Sequence, residues 1–149
     1  MKKVHIYTDG SFTTLYPKYS GWGMVAIDDN GNVLGRQSGV LQGAVSTMRQ
    51  IGGELKGAMI AVKWAIINNY DKVIIHYDYE GVKQWGEGNW KAKKTWTAQY
   101  SDYMINIKNI KVEFKHVGNE HHQGFNQMAD TLANNAIISA AGKDNGNIL

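Results

Sequence analysis

Val73-Ile74-Ile75-His76-Tyr77 is an almost unbroken apolar run that follows directly on a long helical pattern. A strand apolar on both faces belongs inside a parallel pair, covered above and below. Parallel strands need a crossover, usually a helix, and the preceding segment supplies one. From about Met48 to Asn69, Leu55, Met59, Val62 and Ile66 recur at three- and four-residue spacing, with Ala58, Ala61 and Ala65 beside them. Gly53 and Gly57 would weaken such a helix locally and imply a close packing contact.

Upstream lie three strand patterns: Val4–Thr8, Trp22–Ile27 and Val33 to about Leu41. The second and third are joined at Asp28-Asp29-Asn30-Gly31-Asn32, where Asn-Gly tolerates positive φ. Three such runs in sequence read as an antiparallel meander. Downstream, Tyr79–Trp85 reads as a short helix, Gly86–Lys94 as a loop and Thr97–Ile107 as a helix. Lys111–Val117 alternates as a strand, Gly118–Gly124 is a polar loop, and Asn126–Ala141 is the last helix. The predicted class is α/β: a mixed five-stranded sheet, an antiparallel meander plus parallel strands, with helices on both faces.

A chain of 149 residues that is 43% hydrophobic is expected to form one domain, residues 1–141, with 142–149 as a flexible tail. Zero cysteines exclude disulfides and thiolate metal sites. No apolar run approaches the roughly 20 residues of a membrane span. Met1-Lys2-Lys3-Val4 runs straight into a strand, so no secretory segment and a cytoplasmic location are expected. The net charge of +3 is only mildly basic. Its densest patch is Lys91, Lys93 and Lys94, interleaved with Trp85, Trp90 and Trp96. Such a patch suits a polyanion, or is a solvated loop over packed aromatics.

Four acidic residues stand beside elements that should be buried. Asp9 follows the first strand and Asp78 the fourth. Glu54 opens the long helix, and Asp130 lies in Met128-Ala129-Asp130-Thr131-Leu132-Ala133. A right-handed crossover puts the first and fourth strands side by side, with the helix between them, so three of the four reach one spot by topology. Buried carboxylates need a cationic partner, either basic side chains or metal ions. With oxygen donors alone, the ions would be hard ones such as Mg²⁺ or Mn²⁺. Two of them clamp an in-line phosphoryl displacement. Each residue alone has a plainer reading. Asp9-Gly10-Ser11 is a common turn, Glu54 suits a helix first turn, Asp78 can cap a helix, and Asp130 can be a solvated helix residue.

Taken together, the segments resemble ribonuclease H of type 1. Thr8-Asp9-Gly10-Ser11, with a Gly-Trp-Gly strand soon after, is similar to that family's opening. Gly53-Glu54-Leu55-Lys56-Gly57-Ala58 resembles the start of its central helix, and Tyr77-Asp78-Tyr79-Glu80-Gly81-Val82 the end of its fourth strand. Asn126-Gln127-Met128-Ala129-Asp130-Thr131-Leu132-Ala133 resembles its closing pattern. The likeness spans about residues 4 to 137. It implies hydrolysis of the RNA strand of RNA–DNA hybrids with two Mg²⁺ ions, Mn²⁺ being able to substitute, leaving 5′-phosphate and 3′-hydroxyl ends. It carries the ligand role onto Asp9, Glu54, Asp78 and Asp130, and lets Glu54 also reach a ribose 2′-hydroxyl, the group that separates RNA from DNA.

The chain departs from the family in two places. The loop histidine usual ten residues before the last aspartate is replaced by Glu120, with His121 and His122 next to it. Any of the three is a candidate for proton transfer, and the two histidines can equally be exposed loop residues. The basic, tryptophan-rich handle of some members is short here. Trp90, Lys91, Lys93 and Lys94 are expected to hold the hybrid through DNA-strand phosphates and a base or sugar face. Arg49 and Gln50 are candidates for backbone contacts. Ser11, Thr13 and Thr14 are candidates for phosphate contacts near Asp9, or for loop caps. The expected partner is an RNA–DNA hybrid duplex, bound by a monomer with neither membrane nor protein partner. Other classes remain open: a non-catalytic nucleic-acid-binding module, a DNA-directed nuclease or integrase, or a structural domain with Asp–Lys pairs.

Overall fold

A computed structural model describes residues 1–43, 48–118 and 124–146. The elements are β1 (Lys3–Ser11), β2 (Ser20–Ile27), β3 (Val33–Leu41), α1 (Gln50–Ile67), β4 (Lys72–Tyr77), α2 (Gly81–Gly86), α3 (Thr95–Ile105), β5 (Lys111–His116) and α4 (Gly124–Gly146). The sheet order is β3-β2-β1-β4-β5. β1–β2 and β2–β3 are antiparallel, while β1–β4 and β4–β5 are parallel. This is the mixed five-stranded sheet expected from the sequence.

The pleat divides the apolar residues between two layers. Val4 and Ile6 of β1, Met24 and Ala26 of β2, and Val73 and Ile75 of β4 pack under Leu55, Ala58, Met59 and Val62 of α1. On the opposite face, Val25 and Ile27 meet Ala129, with Phe125, Met128 and Leu132 of α4 around them. Helices therefore cover both faces.

Glycines let α1 come down onto the strand ends. A Cβ on Gly53 would lie 1.9 Å from the carbonyl oxygen of Gly21, and one on Gly10 would lie 2.4 Å from the backbone nitrogen of Glu54. The close contact expected at Gly53 is thus backbone on backbone, and it seats the start of α1 over the end of β1.

Two expectations change. β1 does not end in a turn at Asp9-Gly10-Ser11, because pairing continues through Asp9↔Gly23 to Ser11↔Gly21. Of residues 142–149, expected as a flexible tail, 142–146 are helical and 147–149 lie outside the described residues. α4 runs on to Gly146, where Lys18 pairs with Asp144 at 2.8 Å and Tyr19 donates to the same carboxylate. Among the described residues no helix is long and apolar enough to cross a membrane.

Candidate active site

The sheet delivers Asp9 near the end of β1, where its backbone is fixed against Gly23 of β2. α1 brings Glu54 over it, and the two carboxylates lie within hydrogen-bonding reach of each other. Both are buried, Asp9 at 7% exposure and Glu54 at 4%. The backbone N–H of Gly10 donates to Asp9 Oδ1 at 2.9 Å. Asp130, half-buried on α4, also comes within hydrogen-bonding reach of Asp9. Asp78 follows the last residue of β4, half-buried, and bears on Glu54 through its charge.

The electrostatics follow from burial and like charge. Burial pushes the Asp9 carboxyl up to about 6; the hydrogen bond with Glu54 opposes this and the charge of Asp130 reinforces it. Burial, and then the charge of Asp9, hold the Glu54 carboxyl well above the usual carboxylate range. One oxygen of Glu54, Oε2, is buried with no hydrogen-bond partner among the described residues. Within that same set, none of the four carboxylates forms an ion pair with lysine or arginine. Among the described residues, Asp–Lys pairing occurs elsewhere, as at Lys18 and Asp144, and not at these four.

The four do not form a finished cage. Among the described residues, no group of three or more His, Asp or Glu side chains stands ready to hold an ion. Asp9, Glu54 and Asp130 gather through pairwise contacts, and Asp78 stands off from them. The donor set nevertheless fits a hard divalent cation. All the donors are carboxylate oxygens, and one of them is buried and unpartnered among the described residues.

Beside the carboxylates lies a cleft of about 420 Å³. Met48, Ile51 and Trp85 form its apolar floor, and Arg49, Gln50, Lys91, Lys93 and Lys94 its polar rim. Two segments read separately in the sequence, the entry to α1 and the basic loop, thus face each other. An aromatic path joins the cleft to the carboxylates. Tyr79, next to Asp78, has its ring 6.0 Å from Trp85, and Trp90 stands edge-on to Trp85 at 5.4 Å. Trp90 is 42% exposed. Trp96 turns inward onto the main core instead. Arg49 lies at φ 56° and ψ −133°, immediately before α1, with its guanidinium 5.5 Å from the Phe12 ring centroid.

Ser11, a candidate for a phosphate contact or a loop cap, makes its bond to another element. It is buried and its hydroxyl donates to Asn134 of α4. Asn134 in turn donates to Asp130 Oδ2 at 3.4 Å, so the serine braces the carboxylate. Thr13 takes the loop-cap alternative, accepting from the Leu15 N–H at 3.3 Å. Glu120, His121 and His122 lie outside the described residues. Sequence reasoning missed His116, whose Nε2 donates to the main-chain carbonyl of Asp78 at 2.9 Å. Its only signal was a polar residue closing a strand.

A family model described as reverse transcriptase-like matches residues 7–136. Solved structures superpose over nearly the whole chain. An N-terminal RNase H domain from Mycobacterium tuberculosis, solved as a fusion with maltose binding protein, gives a TM-score of 0.79 at 20% identity, covering 97% of this chain and 99% of that one. RNase H1 of the archaeon Halobacterium salinarum gives 0.73 at 19% identity, covering 92% and 98%. An RNase H1 isolated from compost by a metagenomic approach gives 0.71 at 25% identity, covering 95% and 99%. A further RNase H1 structure is a complex with an RNA/DNA hybrid, with a TM-score of 0.68 at 21% identity and coverage of 93% and 99%. No curated protein matches this sequence.

Proposed function

This chain belongs to the reverse transcriptase-like family on the type 1 ribonuclease H fold, and from that premise we propose that it hydrolyses the RNA strand of RNA–DNA hybrids. The observation that carries the proposal is the buried oxygen of Glu54 beside Asp9, unpartnered among the described residues, in a carboxylate group that pairs with no basic side chain in that same set. Burying such charge without compensation costs several kcal/mol. Among the described residues no basic side chain supplies the missing positive charge, and bound cations are the source this reading assigns.

Asp9, Glu54, Asp78 and Asp130 are the residues that would hold Mg²⁺ or Mn²⁺. Two such ions, when bound, supply an activated water and neutralise charge developing on the phosphodiester. The chain's own residues do the rest. Arg49, Gln50, Lys91, Lys93 and Lys94 rim the neighbouring cleft and bind strand phosphates. Trp90 presents an exposed ring for a sugar or base face. Glu54, reaching across from α1, also selects a ribose 2′-hydroxyl. In the reaction, water oxygen bonds to phosphorus, the bond to the ribose 3′ oxygen breaks, and that oxygen takes a proton. The ends left are 5′-phosphate and 3′-hydroxyl. Glu120, His121 or His122 moves a proton for this step.

The test uses purified protein, Mg²⁺ and four labelled substrates: RNA–DNA hybrid, double-stranded RNA, double-stranded DNA and single-stranded RNA. Selective cleavage of the RNA in the hybrid is expected, with 5′-phosphate ends. Binding to all four without cleavage, or cleavage of the DNA duplex, would overturn the proposal in favour of a binding module or a DNA-directed nuclease.

A further inference from the structure

Of the four carboxylates, Asp78 alone lies outside a regular element. Asp9 is within β1, Glu54 within α1 and Asp130 within α4, while β4 ends one residue before Asp78. Its main chain needs another fastening if the carboxylate is to keep one direction. The parallel β4–β5 ladder reaches Tyr77↔His116, and the Val117 N–H donates to the Tyr77 carbonyl at 2.9 Å. Beyond that point the backbone ladder stops and a side chain continues it. His116 Nε2 donates to the Asp78 carbonyl at 2.9 Å. The Gly118 N–H donates to His116 Nδ1, also at 2.9 Å. With Nδ1 accepting, the proton resides on Nε2, the tautomer that the bond to Asp78 requires. The Tyr77 ring stands edge-on to the imidazole, with centroids 5.3 Å apart and planes at 80°. The ring is thus held on three sides.

We infer that His116 is a positioning residue, which sets the direction of the Asp78 carboxylate by fixing its main chain. The inference rests on the site proposed above, in which Asp78 is a working carboxylate. Among the described residues the bond from His116 goes to the Asp78 main chain and not to its carboxylate, so its action on that carboxylate runs through the backbone.

Two isosteric halves of the ring separate this role from a local structural one. His116→Gln places an amide N–H where Nε2 stands, keeping the reach to Asp78. His116→Asn places an oxygen where Nδ1 stands, keeping the bond from Gly118 and giving up the one to Asp78. His116→Ala removes both. Two readouts apply to the whole protein, the first without metal. In ¹⁵N spectra, the Asp78 and Tyr79 amide signals stay sharp in the wild type and in His116→Gln, and broaden in His116→Asn and His116→Ala. In hybrid cleavage with Mg²⁺ at fixed pH, the Asn and Ala variants fall about tenfold in kcat while KM moves less than about twofold, and Gln stays within about threefold of the wild type.

Rescue by Asn but not by Gln would overturn the inference, leaving the ring as a brace for the loop at Gly118. Equal behaviour of all variants would overturn it too. A wild-type protein that cleaves no hybrid would sink the activity proposed above, while the metal-free spectra would still decide the role of His116. If His116→Ala fails to fold, the Gln and Asn pair carries the comparison.

Discussion

Glu54 and Asp9 face each other within hydrogen-bonding reach where α1 crosses the end of β1, both more than nine-tenths buried. Without cations, this pairing works against the fold at neutral pH. Burial raises the Asp9 carboxyl from 3.8 to about 6. A group raised on folding contributes stability below its unfolded value and loses it as pH rises through the folded one. The Asp9 contribution is therefore lost between about pH 4 and 6. With one unit equal to about 1.36 kcal/mol, the loss is up to roughly 3 kcal/mol. His76 runs the other way. Burial, and then the charge of His5, lower it from 6.5 to about 4, so its contribution is present above pH 6.5 and lost as pH falls toward 4.

Comparing Asp9→Asn with the wild type cancels the His76 effect. The variant keeps an oxygen for the Gly10 N–H and loses the charge. Metal-free Asp9→Asn should melt about 4–8 °C higher than the wild type at pH 7.5, for a gain of roughly 2 kcal/mol. At pH 4 the two should coincide. Scanning calorimetry at the two pH values checks this. A lower melting temperature for the variant at pH 7.5 would show that the pair is not strained by its charge.

The approach of α1 to the sheet makes Gly53 a second point of attack. An added methyl would lie 1.9 Å from the Gly21 carbonyl oxygen, an atom that cannot rotate away. Gly53→Ala should lose about 1–3 kcal/mol from overpacking. Alanine ordinarily stabilises a helix interior relative to glycine. Chemical denaturation showing a more stable variant would contradict the backbone contact.

Arg49 carries a backbone conformation suited to glycine, at φ 56° and ψ −133°. Such strain costs on the order of 1–3 kcal/mol. Arg49→Gly and Arg49→Ala both remove the guanidinium from the cleft, and only the glycine relieves the strain. The glycine variant should be more stable than the alanine variant by about 1 kcal/mol, and both should bind hybrid more weakly by similar factors. Denaturation and fluorescence anisotropy give the two numbers. Greater stability in the alanine variant would refute the strain.

The cleft lysines make a prediction about salt. Lys91, Lys93 and Lys94 are exposed around the apolar floor. Changing each to Gln should weaken hybrid binding and flatten the dependence of log affinity on log salt by about one for every phosphate that a lysine no longer neutralises. Trp90→Ala should weaken binding with the salt slope unchanged, because a stacked ring releases no counterion. An unchanged slope in the triple lysine variant would place the polyanion elsewhere.

Much of the fold was legible because burial leaves a period in the sequence. Val73–Tyr77 announced a strand covered on both sides, and Leu55, Met59 and Val62 announced the helix that crosses to it. Element ends were less legible. Asp9-Gly10-Ser11 reads as a turn until Gly21 and Gly23 are known to lie opposite. The last turn of α4 depends on Lys18 and Tyr19, over 120 residues away in sequence. Within the site, Asp9 and Glu54 could be read from the elements they sit on. The brace from Ser11 through Asn134 to Asp130, and the bond from His116 to Asp78, could not be read, because they depend on register and packing between elements distant in sequence.

The central claim is that this carboxylate site takes up divalent cations supplied from solution. It is tested most directly by titrating Mn²⁺ into the protein bound to an uncleavable hybrid of 2′-O-methyl RNA and DNA, with free Mn²⁺ followed by electron paramagnetic resonance. Wild-type protein should remove Mn²⁺ from the free signal, Asp9→Asn and Asp78→Asn should each lose most of that uptake, and excess Mg²⁺ should compete. No uptake by the wild type, or full uptake by both variants, would contradict the account.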